Sequence, residues 1–312
     1  MKKIIPLLLI ITSVIISCSQ SNILKESNLP TPTASVSSCI VSPIPSPTPT
    51  EIPKIIPEMV LVEGGTFKMG DVWESDKSEN SWGNVGNEKP VHKVTLTYDF
   101  YIGKYEVTQK EYGSLIKFTP LWFKGDRFPV ETVTWFDAIK YCNYLSKQED
   151  LSVAYDEKTG NLLDSSGNVT TDITKVLGYR LPTEAEWEYS TRGGKYSKGY
   201  KYSGSNDVNE VSTIWDSSNP KLYEVGLKKP NELGLYDMTG SLLEMCTDTY
   251  SKYSEEDLTN PYIFERYSIQ DCCVARGGAW NVEFISSTVS SRVAIGFEYT
   301  TSGIGFRIAK TK

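Results

Sequence analysis

The segment Tyr179-Arg-Leu-Pro-Thr-Glu-Ala-Glu-Trp-Glu-Tyr189 carries the clearest structural signal in the chain. Thr183 follows a proline, and Glu186 comes three residues later, which is the pattern of a helix N-terminus with a capping box. The threonine hydroxyl can accept from an unpaired first-turn N–H, and the acid favours the positive end of the helix. We therefore predict a short helix that ends near Gly193, with Trp187 packed inward.

The same spacing of a threonine and an acid marks two further helix starts. Thr108 precedes Glu111, and Thr134 precedes Asp137, each by three residues. After Thr134, apolar residues recur at positions 138, 139, 142 and 145, which places them on one face of a helix. We predict that this second helix is a major element of the core.

Most of the remaining chain is predicted as short strands and loops. Met59-Val-Leu-Val62 precedes a glycine pair, and residues 91–96 alternate between apolar and polar side chains. Residues 155–175 contain two turn signals and are predicted as a hairpin. Residues 193–230 show no clear period, so we expect a framework of aromatic and turn residues to hold this part of the chain.

A series of motifs follows in order between about residue 58 and residue 310, including Gly64-Gly-Thr-Phe-Lys-Met-Gly70 and Arg276-Gly-Gly-Ala-Trp280. The series lies at 64–70, 88–94, 100–108, 129–138, 179–189, 231–240, 276–280 and 305–307. It resembles the formylglycine-generating-enzyme (sulfatase-modifying factor) family. The resemblance implies an α+β domain with the C-type lectin fold of that subtype, with two main helices, small antiparallel sheets and much irregular chain. It also implies that His92, the only histidine, is framework rather than catalytic.

The chain departs from this family where the oxidases bind copper. The resemblance implies a copper(I)-binding cysteine pair, five residues apart, shortly after the glycine pair of the 276–280 motif. Those two positions are Val282 and Ser287 here, and neither can supply the soft thiolate that copper(I) needs. Cys272 and Cys273 are adjacent and precede the motif, so they are no substitute. We therefore predict a protein that is not an enzyme, with no catalytic residue and no cofactor; the alternative is an enzyme of this superfamily that works without the pair.

No spacing of cysteine and histidine indicates a metal site. The family's Gly-Asn-Val-Trp-Glu-Trp segment reads Gly240-Ser-Leu-Leu-Glu-Met245 in this chain. Glu244 keeps a hard oxygen ligand for calcium, but Ser241 replaces an amide carbonyl, and we predict no bound metal. A disulfide from Cys246 to Cys272 or Cys273 stays open.

The C-terminal segment at about residues 276–307 resembles the variable region of diversity-generating-retroelement proteins, most of all the treponemal variable lipoproteins. Arg276-Gly-Gly-Ala-Trp-Asn281 lies at one end, Ile304-Gly-Phe-Arg307 closes the other, and Thr288-Val-Ser-Ser-Arg292 lies between them. In that family, adenine-directed copying of asparagine codons yields most of the residue types that fill the gaps here. Glu283 and Glu298 need other codons.

The resemblance implies an exposed ligand-binding face, which we call the variable face. It comprises Val282, Glu283, Phe284, Ile285, Ser286, Ser287, Val293, Ile295, Phe297, Glu298, Tyr299 and Ser302. The alternative is a pair of core strands whose apolar residues are buried. A rigid fold tolerates variation in such a face because its stability rests on framework residues, here predicted as Trp280, Arg292, Phe306 and Arg307.

The N-terminus has the pattern of an export signal. Two lysines precede an apolar run at residues 4–16, and Ile15-Ile-Ser-Cys18 resembles a bacterial lipobox. We predict a signal peptide at residues 1–17 and lipid attachment at Cys18; the alternative is an ordinary cleaved signal with an incidental cysteine. Residues 18–57 are rich in Pro, Ser and Thr and are predicted as a stalk, which can span on the order of 100 Å in polyproline conformation. Residues 58–312 then form one domain.

The net charge of −7 argues against nucleic acid as a partner. We expect a monomer attached to the membrane by its lipid, exported to the outer membrane and exposed on the cell surface, with an unknown macromolecular or glycan ligand. A structural lipoprotein of the envelope that has no ligand is the remaining alternative.

Overall fold

The computed structural model describes residues 54–73, 87–117, 122–212, 221–265, 271–281 and 287–312. The predicted signal peptide, Cys18 and most of the stalk lie outside these residues. Residues Ile52–Lys312 form one compact unit. Within the described part of the chain, no helix combines the length and the apolar character needed to cross a membrane.

Three helices begin where the threonine–acid spacing predicts them. In each, the threonine at the N-cap accepts from the backbone N–H three residues later, and the acid accepts from the N-cap N–H. These helices are α1 (Gln109–Leu115), α2 (Trp135–Gln148) and α3 (Glu184–Thr191), and a single turn, α4 (Val208–Val211), follows them. The three predicted helix starts are confirmed, and 3₁₀ turns lie at Ile173–Lys175 and Gly194–Tyr196.

The strands are short and form three small sheets. They are β1 (Met59–Val62), β2 (Gly65–Met69), β3 (His92–Leu96), β4 (Phe100–Gly103), β5 (Leu243–Thr249), β6 (Leu258–Thr259), β7 (Cys272–Arg276), β8 (Arg292–Gly296), β9 (Ile304–Gly305) and β10 (Ala309–Thr311). The sheet orders are β1-β4-β10, β2-β3-β6 and β8-β7-β5-β9. Only the β3–β6 and β5–β9 pairs are parallel among these strands. The hairpin predicted at residues 155–175 is reduced to two isolated bridges, Tyr155 to Leu162 and Leu163 to Val169.

The four-stranded sheet separates two apolar clusters. Met245 and Ala275, which are paired across β5 and β7, face the larger cluster that includes the buried side of α2. Cys246 and Val274 face the opposite way, into the cluster that includes Trp187 of α3. Because side chains alternate along a strand, β5 and β7 each contribute to both clusters, whereas β8 and β9 contribute to the larger one.

Every residue of α3 is buried, and its three glutamates bind arginines from other segments. Glu186 binds Arg180 through two bonds of 2.6 and 2.7 Å. Glu188 pairs with Arg276 of β7 and with Arg192, and Glu184 pairs with Arg292 of β8. A buried carboxylate needs a partner, so these pairs explain why an acidic segment lies at the centre of the fold.

The cap of α2 gives a direct test of this local structure. We expect Thr134→Ala to lower the free energy of unfolding by about 1 kcal/mol, because the N–H of Asp137 loses its acceptor. Thr134→Ser keeps the hydroxyl and should cost less than half as much. Urea denaturation of both variants measures the difference, and equal losses would contradict the capping explanation.

Candidate functional site

Buried arginines frame the C-terminal segment. Arg292 at the start of β8 donates two bonds of 2.7 Å to Glu184, and its guanidinium lies 4.0 Å from the centre of the Tyr253 ring. Phe306 and Arg307 are completely buried. Trp280 is partly buried, and its indole N–H donates to the Ser302 carbonyl at 2.8 Å. These contacts confirm that the predicted framework residues hold both ends of the segment.

A cavity of about 430 Å³ lies inside this frame. Its wall is formed by Leu243 of β5, Val293 and Ile295 of β8, Ile304 of β9, and the turn that contains Tyr299. Asn281 and Thr301 also line it and bring polar groups to an otherwise largely apolar wall. Such a combination is typical of a site that takes an apolar group and orients it with a few polar contacts.

The structure brings only part of the predicted variable face to the surface. Glu298 and Tyr299 are exposed, with Tyr299 at 51% of its full accessibility, while Val293 and Ser302 are partly exposed. Val293 and Tyr299 lie together at the cavity. Val282, Glu283, Phe284, Ile285 and Ser286 lie outside the described residues.

Three residues predicted to be exposed are buried instead: Ser287, Ile295 and Phe297. Ile295 lies on the side of β8 that faces the larger apolar cluster. Phe297 packs edge-on against Trp135 of α2, with 5.0 Å between the ring centres. The expectation of exposure was wrong for these three, since the sequence alone does not tell which side of a strand faces a helix. Ile295, although buried, still lines the cavity.

The sequence did not single out Asn281, Thr301 or Leu243 as site residues. Gly303 offered one indication that Asn281 belongs to the site. A β-carbon at Gly303 would lie 2.7 Å from the Asn281 side-chain oxygen, so the glycine permits a close approach at the cavity wall.

The residues at the family's calcium segment do not fit that ion. Arg307 donates to both oxygens of Glu244, at 2.5 and 2.6 Å, and Trp187 donates to one of them at 2.7 Å. The Ser241 hydroxyl donates to Glu106 at 2.8 Å. A guanidinium therefore supplies the positive charge at Glu244, and no group of three or more potential metal ligands occurs elsewhere in the described residues.

Cys246 and Cys273 carry free thiols, so Cys246 is joined to neither Cys272 nor Cys273. Burial raises the pKa of the Cys142, Cys246 and Cys273 thiols, and it also raises the pKa of Cys272, which is partly exposed. A high pKa keeps a thiol protonated, and a protonated thiol is a poor nucleophile and a poor metal ligand.

A second, smaller cavity lies on the other side of the four-stranded sheet, between His92, Tyr253 and Asp248. The His92 ring packs edge-on against Tyr253 and lies within hydrogen-bonding distance of the Pro90 carbonyl, 3.2 Å from Nδ1. Asp248 accepts from the N–H groups of Glu184 and Ile263. Burial raises the pKa of Asp248 to about 7, and the nearby Glu184 carboxylate adds to the rise.

Known proteins share this architecture. The chain is 34% identical to Chaperone protein LppX of Paenibacillus barcinonensis, over 82% of this chain and 90% of LppX. It is 25% identical to the formylglycine-generating enzyme of Streptomyces coelicolor, over 65% of this chain and 73% of the enzyme. The structure of Treponema denticola variable protein 1 superposes with a TM-score of 0.66 and 28% identity, over 81% of this chain and 95% of that one.

These matches confirm the predicted C-type lectin fold of the formylglycine-generating-enzyme subtype and the similarity to a treponemal variable protein. The relatives include both a chaperone and enzymes, so relatedness alone does not decide whether this chain catalyses a reaction. The model of the sulfatase-modifying factor enzyme 1-like domain matches residues 45–312, and the chain belongs to this family.

Proposed function

We propose that this protein is a non-catalytic, lipid-anchored binding protein that takes its ligand at the cavity beside Tyr299. The observation that carries the proposal is the position of that cavity. Val293, Ile295 and Tyr299, all from the predicted variable face, line it. Buried ion pairs of Arg292 and Arg307 flank residues 293–306, so the surface residues between them can change without loss of the fold.

An exposed aromatic ring at the mouth of a cavity is a frequent anchor of binding energy. We expect Tyr299→Ala to weaken binding of the ligand roughly 30-fold. Tyr196→Ala is the matched control, because Tyr196 is similarly exposed at 56% but belongs to a 3₁₀ turn near β2. Binding of the full chain in detergent to a glycan array and to immobilised envelope proteins measures both variants. A ligand whose affinity falls equally in the two would contradict this site.

The thiol chemistry supports the non-catalytic part of the proposal. An oxidase of this family needs a copper-binding cysteine pair, and the matching positions are Val282 and Ser287. The protein should therefore form no aldehyde when it is incubated with copper(I), oxygen and a Cys-x-Pro-x-Arg peptide. Aldehyde detected by mass spectrometry would establish the alternative, a superfamily enzyme that works without that pair.

Lipid attachment at Cys18 and display on the cell surface belong to the same proposal. The lipobox pattern supports the first, and the long stalk supports the second, since it can carry the domain well away from the membrane. Protease treatment of intact cells should remove the domain, whereas a domain inside the envelope survives it. Cys18→Ser should release the protein from the membrane fraction.

The genome can show whether the variable face is diversified. A nearby near-copy of the coding sequence for residues 276–307, differing at adenines and accompanied by a reverse transcriptase gene, supports it. Without such a copy, the variable face loses its main support as a diversified surface.

A chaperone role is the second candidate function. It is favoured by the identity to Chaperone protein LppX, which extends over 90% of that protein. If this chain acts in the same way, it should raise the folding yield of an exported protein from the same cell. Co-expression with and without the chain measures this yield.

A further inference from the structure

Strand β8 forms one edge of the four-stranded sheet, directly beside the cavity. We propose that this edge accepts an extended peptide as an added strand, with an apolar side chain of the peptide in the cavity. The inference deepens the proposed function and rests on it, because it assigns a ligand class to the same site.

The hydrogen-bonding pattern of β8 leaves one residue of the strand with outward-facing backbone groups that can bond a ligand. Residues 292–296 all lie opposite residues of β7, but the Arg292 carbonyl accepts from the Asn87 amide at 3.1 Å, from outside the sheet. Alternate residues therefore direct their backbone groups outward, at positions 292, 294 and 296. The Gly296 carbonyl accepts from the Tyr299 N–H at 2.9 Å.

Ala294 lies between these two occupied carbonyls and is exposed. Among the described residues, none is found to bond its N–H or its carbonyl. One donor and one acceptor on the same strand residue match the pair of bonds that an antiparallel strand makes.

The register of such a strand determines where its side chains point. The peptide residue opposite Ala294 points to the same face as Ala294, and its two neighbours point to the face of Val293 and Ile295. The apolar side chains of that second face, Val293 and Ile295, line the cavity with Leu243, and the cavity also touches Ala294 and Gly296. The ligand is therefore an extended segment with a large apolar side chain next to the residue that pairs with Ala294.

The charges near this edge favour a basic peptide. Glu298 is exposed just beyond the end of β8 at Gly296. The chain as a whole carries a net charge of −7. A lysine or arginine at the end of the peptide near Gly296 should therefore strengthen binding, and salt should weaken it.

Ala294→Pro tests the added strand, since proline removes the outward N–H without removing a bond to β7. Ala294→Thr is the matched control, because it keeps that N–H and suits a strand. We would select ten-residue peptides from an mRNA-display library against the full chain in detergent. Selected peptides should carry a large apolar residue flanked by basic ones, bind the proline variant roughly tenfold more weakly and bind the threonine variant unchanged. Methylation of the peptide nitrogen that faces Ala294 should have the same effect as the proline.

Melting curves establish that both variants are folded before binding is compared. Selection of no peptide, or of peptides that bind the proline variant as tightly as the parent chain, overturns the added strand. If Tyr299→Ala still abolishes binding of a glycan or a folded protein in that case, the proposed binding site survives without the strand. If no ligand responds to either position, both proposals fail.

Discussion

Arg307→Met should lower the free energy of unfolding by about 3–5 kcal/mol, the largest single-residue effect that we expect in this chain. Arg307 is completely buried and donates to both oxygens of Glu244. Two of its other N–H groups bond the carbonyls of Gly103 and Tyr236. Without the guanidinium, a buried carboxylate has no opposite charge and two carbonyls lose their donors.

Two further acids make this position more sensitive than the other buried pairs. Burial and the nearby Glu244 raise the pKa of Glu106, and burial raises the pKa of Asp237 to about 6. The positive charge of Arg307 lowers the pKa of both groups, because it favours their charged forms. Its loss therefore leaves three acids close together inside the protein.

Urea denaturation measures the change, with Lys312→Met as the control. Lys312 pairs with Asp99 at 3.0 Å but is half exposed, so its loss should lower the free energy of unfolding far less than the loss of Arg307. In Arg307→Met combined with Glu244→Gln, part of the stability should return, because the unpaired charge is then absent. A loss below about 1 kcal/mol in the single variant would contradict the role given to Arg307.

The local signals in the sequence predicted the helices well, and for a physical reason. A capping box places its donor and acceptor three residues apart, so Thr108, Thr134 and Thr183 each define a helix start without help from distant residues. Strand β3 was predicted from a local pattern in the same way. The burial of residues 92–96 alternates along the strand, in step with the alternation of their sequence.

The candidate site could be predicted only in part, because its geometry depends on contacts distant in sequence. Phe297 is buried because Trp135 packs against it, and those two residues are 162 positions apart (297 − 135). The partner of Glu184 comes from β8, and the partner of Glu244 comes from the chain after β9. The sequence alone therefore could not show that an arginine pairs with Glu244, the acid of the calcium segment. The cavity itself arises from three strands and two turns.

Asp248 should make the protein less stable as the pH rises from 5 to 8. Its pKa is about 7 in the folded protein and near the ordinary aspartate value of 3.8 in the unfolded chain. The folded state therefore holds a proton that the unfolded state has already lost, and this contribution to stability is complete only below about pH 4. It decreases as the pH rises through 7, by roughly 3 kcal/mol between pH 5 and pH 8.

Asp248→Asn removes the titration and should flatten this dependence. The amide offers only one acceptor to the N–H groups of Glu184 and Ile263, so the variant should also lose stability by an amount that does not change with pH. Asp237 and Glu106 titrate in both proteins, and their effects cancel when one curve is subtracted from the other. The difference between parent and variant, measured by urea denaturation at half-unit steps, should therefore fall steadily from pH 5 to pH 8.

Asp164→Asn is the control for this measurement. Hydrogen bonds from the backbone N–H groups of Asn168 and Ser166 lower the pKa of the exposed Asp164 carboxyl, so it stays ionised throughout the range from pH 5 to pH 8. Its difference curve should be level. A level curve for Asp248→Asn as well would mean that Asp248 is already ionised at pH 5, and that its two backbone donors outweigh the cost of burying its charge beside Glu184.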